Sequence, residues 1–475
     1  MLNNMTSLWK KSAAEIIKLI DKKEVSSEEV LSSSLSRISE VNSKINALVT
    51  ICEDRARLSL KNNNISNANN ILNSMPVIIK DMNDVQGVRT TYGSRLYESH
   101  IPKKSDIVVE TIEKNGGIIL GKSNIPEFAA GSHTYNDLFG TTNNPWNTTL
   151  SAGGSSGGSA AALASGMAWF ATGSDLGGSL RNPASWCGVT GLRPTPGLIP
   201  HGPAKMPFLN LSVDGPMARN IEDLSLFLDA MITHNNKDPL SFKKALPSYF
   251  SNISNISNKK YLVGFTEDFG IFACDPEVRN MMQNTLKLIE GLGHNIVNEH
   301  PEMKGAEETF QTIRAYLFFS SYQHLSKKNQ SLIKEEVLWN IEEGKKLKVD
   351  DLIKAEESRA RIYNNSMEFF DKFDFLIVPS SAVPPFNSKE KWVKKIENTT
   401  YSNYVSWLMI AASISLTGCP SLALATSFSN NGAPFGIQII AAPHEEEKLL
   451  KFAKTIEESI NIADLVPIDA KDAYF

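Results

Sequence analysis

The sequence predicts an α/β fold. Short apolar runs of strand length are interleaved, along the whole chain, with longer stretches in which apolar residues recur at helical spacing. The chain has 475 residues, of which 41% are hydrophobic and 21% are charged, so a large core can be buried in an ordinary globular composition. The formal net charge of −4 creates no strong field of one sign, so composition gives no case for binding nucleic acid.

The first predicted elements are two helices and a buried strand. Apolar positions recur at helical spacing over residues 13–20, and the run at 26–29 (SSEE) has the composition of a helix start. The Asn-rich stretch 61–74 is expected to be a surface loop. Residues 75–81 (MPVIIKD) then predict a short buried strand that ends in Lys80 and Asp81, an unusual place for two charges.

The rest of the chain continues the alternation. Ser105 is expected to cap a helix that ends at Gly116, and a strand follows at 118–120. The polar stretch 233–260 predicts an internal connection. Long helical patterns cover 275–373, and a closing helix covers 445–460. Further strands are predicted at 261–265, 375–379, 421–425 and 435–440.

The sequence shows no secretory or membrane-spanning segment and no cysteine spacing typical of a metal site. The N-terminus lacks the apolar stretch and the small-residue cleavage site of a secretory signal, and no run of about 18 apolar residues occurs. The four cysteines are far apart and have no metal-ligand spacing. We therefore expect reduced thiols in a cytoplasmic protein that binds no membrane, no metal and no cofactor.

Two glycine-rich signals match motifs whose structural context is missing. Residues 116–123 (GGIILGKS) fit the phosphate-loop expression, but a helix precedes them and the supposed phosphate cradle is apolar strand material. Residues 153–157 contain GxSxG, the nucleophile elbow of α/β-hydrolases, but 143–152 reads as a loop where that fold needs an apolar strand. The α/β-hydrolase fold also needs a catalytic histidine late in the chain, and the last histidine here, His444, stands at a predicted helix start. We reject both interpretations.

The third signal is the block at 151–194, which reads SAGGSSGGSAAALASGMAWFATGSDLGGSLRNPASWCGVTGLRP. Gly- and Ser-rich sequence is most often a flexible linker. Here an Ala/Leu helical pattern separates two glycine loops, so the block is predicted to fold as loop, small-residue helix, short strand and loop. Small residues over this length imply close backbone packing and exposed amides.

These residues resemble the amidase signature family. The family's GGSSGG, its (G/S)DxGGS(I/L)R and its GL(K/R)PT correspond to 153–158, 174–181 and 191–195. The upstream strand ending in Lys-Asp corresponds to 77–81, and the phosphate-loop look-alike overlaps the family's own GK(S/T)NxPEF block. Similarity covers nearly the whole chain. Ser74, Ala152 and Leu176 depart from the usual pattern, and Leu176 lies where it can alter the pocket wall.

The resemblance implies one amidase domain over residues 1–475. Its fold is a central mixed β-sheet covered by helices on both sides. The signature core is expected at about 75–220, and a variable helical region that shapes the substrate pocket at about 270–375.

The resemblance also implies a catalytic relay of Ser179, Ser155 and Lys80. Ser179 attacks an amide carbonyl, Ser155 takes its proton, and Lys80 is the final base. A lysine is a base only when it is neutral, and burial by the apolar strand lowers its pKa in that direction. Alternation along the strand turns Asp81 to the other face. The family also has a cis peptide between Gly154 and Ser155.

Other residues are assigned around this relay, also by resemblance. The backbone amides of residues 176–179, which include Leu176, Gly177 and Gly178, are expected to face the oxyanion, and Gly131 and Ser132 to line the acyl pocket. Supporting roles go to Ser156, Asp175 and Arg181, although an ordinary surface charge is the alternative for the last two. His133 is expected in the pocket wall or at the surface.

The implied reaction converts a small linear carboxylic amide to an acid and ammonia or an amine. Two alternatives stay open. One is the A subunit of a tRNA-dependent amidotransferase, although residues 196–200 (PGLIP) replace that subgroup's Tyr-Gly-Arg pattern. The other is an inactive binding protein on the same fold. The stretches 199–212 and 300–350 are expected to shape the pocket, but core packing explains their apolar content equally well. A homodimer also stays open.

Overall fold

An 11-stranded mixed sheet forms the centre of the computed structural model, which describes residues 8–63, 70–244, 248–255, 259–325 and 327–472. The strand order is β1-β3-β2-β8-β10-β9-β16-β17-β13-β11-β12. The strands are β1 Leu48–Ile51, β2 Pro76–Lys80, β3 Ile118–Ser123, β4 Tyr135–Asn136, β5 Gly140–Thr141, β6 Asn143–Asn144, β7 Asn147–Ser151, β8 Phe170–Asp175, β9 Thr190–Arg193, β10 Val213–Ala218, β11 Leu262–Phe265, β12 Asn295–Val297, β13 Phe375–Pro379, β14 Lys395–Ile396, β15 Thr399–Thr400, β16 Ser421–Phe428 and β17 Pro434–Ile440.

The sheet contains two groups of parallel strands with a run of antiparallel pairs between them. β2 is parallel to both β3 and β8, and β11 is parallel to β12 and β13. The strands between these two parallel groups pair antiparallel. Because β2 and β8 run the same way, their carboxyl ends meet at one edge of the sheet, and β10 starts there. That edge carries Lys80, Asp175 and Asp214.

Helices cover both faces. They are α1 Ala13–Asp21, α2 Ser27–Ile45, α3 Glu53–Asn63, α4 Ile107–Lys114, α5 Gly157–Ala164, α6 Arg181–Cys187, α7 Ile221–Met231, α8 Tyr249–Asn252, α9 Pro276–Gly291, α10 Ala306–Tyr322, α11 Glu335–Lys346, α12 Val349–Phe370, α13 Met409–Thr417 and α14 Glu446–Ile460. Alternate strand residues enter different apolar clusters: Val77 and Ile79 pack on one face of the sheet and Ile78 on the other. The expected α/β class, with its mixed sheet and two helical layers, is confirmed.

Most predicted elements are present at their predicted places. The two N-terminal helices, the buried strand before Lys80 and the small-residue helix all form. Every residue of α5 is buried, and a Cβ on Gly158 would lie 2.5 Å from the backbone of Asn124, so small residues are required there. Ser26 and Glu29 form a capping box at the start of α2, which explains why that helix begins at Ser27.

Four local predictions were wrong. The cap of α4 is Asp106, because the Ser105 hydroxyl instead accepts a hydrogen bond from the Gln86 amide. The stretch 143–152 is not a loop, since β6 and β7 pair there. Residues 61–63 belong to α3. β12 was missed within the helical stretch 275–373, where a three-residue strand is too short to interrupt the pattern.

Some predicted stretches lie partly outside the described residues, namely 64–69 of the Asn-rich stretch and 245–247 and 256–258 of the polar connection. In the described part of that connection, α8 is a single helical turn. No helix among the described residues combines the length and the apolar character that a membrane crossing needs.

Candidate active site

Lys80 ends β2 with its side chain fully buried. Its Nζ lies 2.8 Å from the Ser155 Oγ, 2.9 Å from the Ser156 Oγ and 2.9 Å from the Ser174 Oγ. The Lys80 backbone amide donates to the Thr172 hydroxyl on the neighbouring strand β8, which fixes the end of β2. Among the residues that the structure describes, three hydroxyl groups and no carboxylate therefore contact this amine.

The surroundings of Lys80 favour the neutral amine. Burial lowers the pKa of Lys80 to about 7, against the attraction of the Asp214 and Asp175 carboxylates. A neutral amine has two N–H bonds and one lone pair, whereas an ammonium has three N–H donors and no acceptor. Three hydroxyl neighbours suit both states, because a hydroxyl either accepts or donates. The site can therefore accept a proton and release it without rearrangement.

Ser155 is held at the start of α5 by tight backbone contacts. The Gly154–Ser155 peptide bond is cis, as the resemblance implied. A Cβ on Gly154 would lie 2.8 Å from the His133 amide nitrogen and 2.9 Å from the Ser132 carbonyl carbon, so only glycine fits. Ser132 donates to the Gly154 carbonyl at 3.2 Å. These contacts hold the Ser155 hydroxyl against Lys80.

Ser179 shares a cavity of about 350 Å³ with Ser155. Gly131, Ser132, Leu176 and Gly177 line the same cavity, so six of the residues assigned from the sequence surround one space. The Ser179 side chain is partly exposed and makes no hydrogen bond to another described residue. The structure thus joins Lys80 to Ser155 by a hydrogen bond and places Ser179 in the same cavity without such a bond.

The loop between β8 and α6 carries backbone N–H groups into this cavity. Among the described residues, no acceptor engages the amides of Leu176, Gly177 or Ser179. A Cβ on Gly177 would lie 2.7 Å from the Phe310 ring, so glycine allows the close packing here. The Gly178 amide differs, because it donates to the Asp175 carboxylate at 2.9 Å. Our assignment of Gly178 as an oxyanion donor was therefore wrong, and its amide holds the loop instead.

Asp175 and Arg181 form the rigid base of that loop. Arg181 binds the Asp175 carboxylate through two nitrogens, at 2.9 and 3.0 Å, and both side chains are fully buried. Burial opposes ionisation of Asp175, but Arg181 and Arg193 outweigh burial and hold its pKa well below the usual range. The Leu180 amide also donates to this carboxylate. Neither residue is the ordinary surface charge that the sequence left open.

Two side chains near Lys80 were missed in the sequence. Ser174 accepts a hydrogen bond from the Lys80 Nζ, and its place just before Asp175 in the family motif was the available signal. Asp214 pairs with Ser174 across β10 and β8, and its carboxylate receives the His201 Nδ1 at 2.7 Å. No local pattern marked Asp214, because its proximity to the site depends on how β10 returns beside β8.

His133 lies outside the cavity that holds Ser179. It is buried, and its ring nitrogens contact the Ser151 hydroxyl at 2.7 Å and the Ser388 carbonyl at 3.0 Å. It lines a second cavity of about 610 Å³. Burial lowers the pKa of His133 to about 4, so it stays neutral at neutral pH. It is neither a surface residue nor part of the wall around Ser179.

The helical wall of the catalytic cavity is largely apolar. The apolar and aromatic lining residues from α10 are Phe310, Ile313, Leu317, Phe318 and Tyr322, and Arg314 and Ser321 of the same helix also line the cavity. The stretch 199–212 contributes a second side, including Leu209 and Leu211. Both stretches were expected to shape the pocket, and both contribute lining residues.

Comparisons with known proteins agree on one family. The family model described as Amidase matches residues 29–450. The A subunit of glutamyl-tRNA(Gln) amidotransferase from Thermoanaerobacter pseudethanolicus is 34% identical, with 95% of this chain and 97% of the relative aligned. The acylamidase of Rhodococcus erythropolis is 31% identical, with 97% of each chain aligned.

Solved structures show the same fold. A bacterial aryl acylamidase of the amidase signature family superposes with a TM-score of 0.88 at 23% identity, over 96% of this chain and 99% of that one. The glutamyl-tRNA(Gln) amidotransferase A subunit from Thermotoga maritima superposes with a TM-score of 0.78 at 26% identity, over 95% of each chain. Relatives named as hydrolases and relatives named as amidotransferase subunits are thus similar to this chain at comparable levels.

Proposed function

This chain belongs to the amidase signature family, and from that membership we propose that it hydrolyses a linear carboxylic amide through an acyl-enzyme on Ser179. The observation that carries the proposal is the hydrogen bond from the buried Lys80 amine to Ser155, in a cavity that also contains the Ser179 hydroxyl. An amide is a weak electrophile, so its cleavage needs an activated nucleophile, a proton relay and stabilisation of the oxyanion.

In the proposed first step, the Ser179 oxygen attacks the carbonyl carbon. The Ser179 proton passes to Ser155, and the Ser155 proton passes to the lone pair of neutral Lys80. The amides of Leu176, Gly177 and Ser179 have no other acceptor in the described chain and are free to donate to the oxyanion. Substrate binding must bring the Ser179 hydroxyl onto Ser155, as catalytic hydrogen bonds often shorten only in the complex.

In the second step, the relay runs backwards. The Lys80 ammonium returns its proton through Ser155 to the leaving nitrogen, and ammonia or an amine departs. Water then attacks the ester of Ser179 and gives a proton through Ser155 to Lys80. The bond between the acyl carbon and the Ser179 oxygen breaks, this proton returns through Ser155 to the Ser179 oxygen, and the acid is released. A Lys80 pKa of about 7 suits both directions, because a base near neutrality is able to take and to give a proton.

The second candidate function is that of an amidotransferase A subunit. Its support is the 34% identity to a relative with that name. Residues 196–200 argue against it, since Pro196-Gly197-Leu198-Ile199-Pro200 stands where that subgroup has Tyr-Gly-Arg. We rank hydrolysis first.

A fluorophosphonate probe and an amide panel test the proposal. We expect the probe to label Ser179 in the wild-type protein and not in Ser179→Ala. The purified protein alone should hydrolyse small, aryl or long-chain amides, and Ser179→Ala should lose that activity. Labelling without hydrolysis, together with glutaminase activity that needs added subunits, would favour the amidotransferase. No labelling at Ser179 would favour an inactive scaffold.

The remaining assignments follow from the same proposal. A small-molecule amide is the partner, and no cofactor or metal takes part in the steps above. We keep a cytoplasmic location and a homodimer as proposals. Gel filtration with light scattering would measure the oligomeric state.

A further inference from the structure

One end of the catalytic cavity is acidic. Asn83, Asp84, Asp106 and Asp214 all line the space that contains Ser155 and Ser179. The sequence analysis singled out none of them, and the proposed mechanism uses none of them directly. They lie on the loop after β2, at the start of α4 and on β10, three segments that meet beside the carboxyl end of β2.

The hydrogen bonds among these residues leave acceptors unused. The Asn83 Nδ2 donates to both Asp106 and Asp214, at 3.3 Å each. This orients the amide, because the opposite orientation would place its oxygen against two carboxylates. The Asn83 side chain is 3% exposed, and its Oδ1 has no hydrogen-bond partner among the described residues. A buried amide oxygen without a donor is costly, so a donor from a ligand would relieve it.

The two neighbouring carboxylates each have a free oxygen as well. Asp84 receives the Tyr92 hydroxyl on Oδ1 at 2.6 Å, and Asp106 receives the Asp84 amide on Oδ2 at 3.1 Å. Within the described parts of the chain, no donor reaches the Asp84 Oδ2 or the Asp106 Oδ1. Asn83, Asp84 and Asp106, which we call the acceptor cradle, thus offer three unfilled acceptor oxygens beside the catalytic serines.

The cations that line the cavity donate their hydrogen bonds elsewhere and not to the cradle. His201 is paired with Asp214 through its Nδ1. Arg314 donates to Asn340 and Tyr404, and Lys205 donates to the Ser320 carbonyl on α10. No group of three or more His, Cys, Asp or Glu side chains in the described chain is arranged to hold a metal ion. A group with several N–H donors and a positive charge fits these acceptors best.

We propose that the amide substrate also carries a protonated primary amine, and that the Asn83, Asp84 and Asp106 cradle binds this ammonium group. An ammonium has three donors for three free acceptors. Burial and the neighbouring Asp214 and Asp84 carboxylates raise the pKa of Asp106 to about 7, and a bound cation would favour its ionised form. The apolar wall from α10 then accommodates the carbon chain. The substrate class is an amide bearing an amino group, such as an amino-acyl amide or an acylated diamine. This inference rests on the proposed hydrolysis.

Matched substrates test the inference. One series consists of p-nitroanilides of amino acids with a terminal ammonium group and increasing chain length. Its partner series carries a methyl group in place of the ammonium. For at least one length, we expect the wild-type protein to give a kcat/KM for the ammonium substrate about 10–100-fold above that for its methyl partner, the usual gain from hydrogen bonds to a charged group.

Variants assign that preference to the cradle. Asp106→Asn and Asp84→Asn each keep an acceptor and remove a charge, and each should lower the preference ratio about 10-fold or more. Glu98→Gln removes an exposed carboxylate of the same region that does not line the cavity, and it should leave the ratio unchanged. A wild-type preference for methyl substrates, or a ratio that survives both Asp variants, would overturn the inference while hydrolysis stands.

Binding of n-butylammonium separates failure of the inference from failure of the proposed function. Calorimetry should detect butylammonium on the wild-type protein, weaker binding on Asp106→Asn and none of n-butanol. If no substrate is hydrolysed and this pattern holds, the cradle is correct and the reaction assigned to Ser179 is wrong. If butylammonium binds equally to wild type and Asp106→Asn, or not at all, the cradle assignment is wrong.

Discussion

Two lysines lie side by side in the central sheet and differ in what contacts their amines. Lys80 ends β2 and Lys122 lies in the parallel strand β3, where it pairs with Ile79 in the register. Both side chains are fully buried. The Lys122 amine contacts the Asp81 carboxylate at 3.4 Å, the Thr90 hydroxyl at 2.9 Å and the Asn83 carbonyl. Within the described parts of the chain, the Lys80 amine contacts only hydroxyls and a peptide carbonyl.

The difference shows that burial alone does not identify a catalytic base. Burial lowers the pKa of both lysines, but at Lys122 the Asp81 carboxylate in contact opposes the change in pKa. A buried ion pair keeps both partners charged, because removing one partner leaves the other charge buried without a counterion and destabilises the fold. At Lys80 no contacting carboxylate loses its counterion when the proton leaves, so the amine can lose and regain a proton.

The largest expected effect is on the rate of Lys80→Met. Methionine fills a similar volume without a lone pair, so the proton relay is lost and kcat should fall about 10²–10⁴-fold, the usual contribution of a general base. The free energy of unfolding should stay the same or rise, because a buried polar amine is replaced by an apolar chain. Amide hydrolysis and chemical denaturation of the same preparation measure both. Normal turnover by Lys80→Met would remove Lys80 from the mechanism.

Lys122→Met is the matched variant, and we expect the opposite pattern. It leaves the Asp81 carboxylate buried without its cation, which should lower the free energy of unfolding by about 3–5 kcal/mol. Adding Asp81→Asn should recover part of that loss, because the stranded charge is removed. Folded Lys122→Met should turn over near the wild-type rate at low temperature. A large loss of kcat with unchanged stability would show that the comparison is wrong.

Much of this distinction could be predicted from the sequence, though not all of it. The apolar run before Lys80 predicted its burial, and the flanking glycine blocks predicted the tight turns at Ser155 and Ser179. The phosphate-loop look-alike was rightly rejected, since Lys122 stands inside strand β3 rather than in a loop. Local sequence patterns are enough to predict these features, because strands and glycine turns depend mainly on residues that are close together in the chain.

The partners of the two lysines could not be predicted in the same way. Ser174 and Asp214 are brought to Lys80 or beside it by strand pairing across the sheet, which no local spacing encodes. The pairing of β2 with β3 likewise brings the Asn83 carbonyl to the Lys122 amine. The Gly178 amide was misassigned for a similar reason. Its hydrogen bond goes to Asp175, a choice fixed by the position of Arg181 behind the loop. Hydrogen-bond partners follow from tertiary packing rather than from motif letters.

The pH dependence of the rate tests the state of Lys80. Because the neutral amine is the proposed base and its pKa is about 7, kcat/KM should fall about tenfold per pH unit below pH 7 and level off above it. Asp214 attracts the protonated form of Lys80, so Asp214→Asn should lower the pKa of Lys80. The acid limb of the kcat/KM profile, where the rate falls, should then move to lower pH. Asp81→Asn, beside Lys122, should leave the limb in place. Stopped assays across pH 5–9 would measure these profiles.

The same pKa has a consequence for stability. In the unfolded chain Lys80 keeps its proton up to about pH 10.4, whereas the folded protein releases it above about pH 7. The unfolded state thus binds more protons in that window, and the contribution of Lys80 to the free energy of unfolding rises with pH. The slope should be smaller in Lys80→Met, as urea denaturation at several pH values would show.

The smallest expected effect concerns how the Lys80 amine is oriented. When Lys80 is neutral, its two N–H bonds are able to donate to Ser156 and Ser174, which leaves the lone pair facing the Ser155 hydroxyl. Ser174→Ala removes one of these acceptors and lets the lone pair turn away. The loss of one neutral hydrogen bond is worth about 1 kcal/mol, so kcat should fall roughly fivefold while KM stays close to its original value.

A neighbouring serine supplies the control for that variant. Ser123 on β3 pairs with Lys80 in the register, but its hydroxyl forms a buried hydrogen bond of 2.8 Å with Ser159 and none with the Lys80 amine. Ser123→Ala therefore removes a similar interaction from the adjacent strand, and it should lower stability without lowering kcat. If the two variants lower kcat equally, the effect is general loosening of the sheet, and the hydroxyls around Lys80 have no special role in aiming its lone pair.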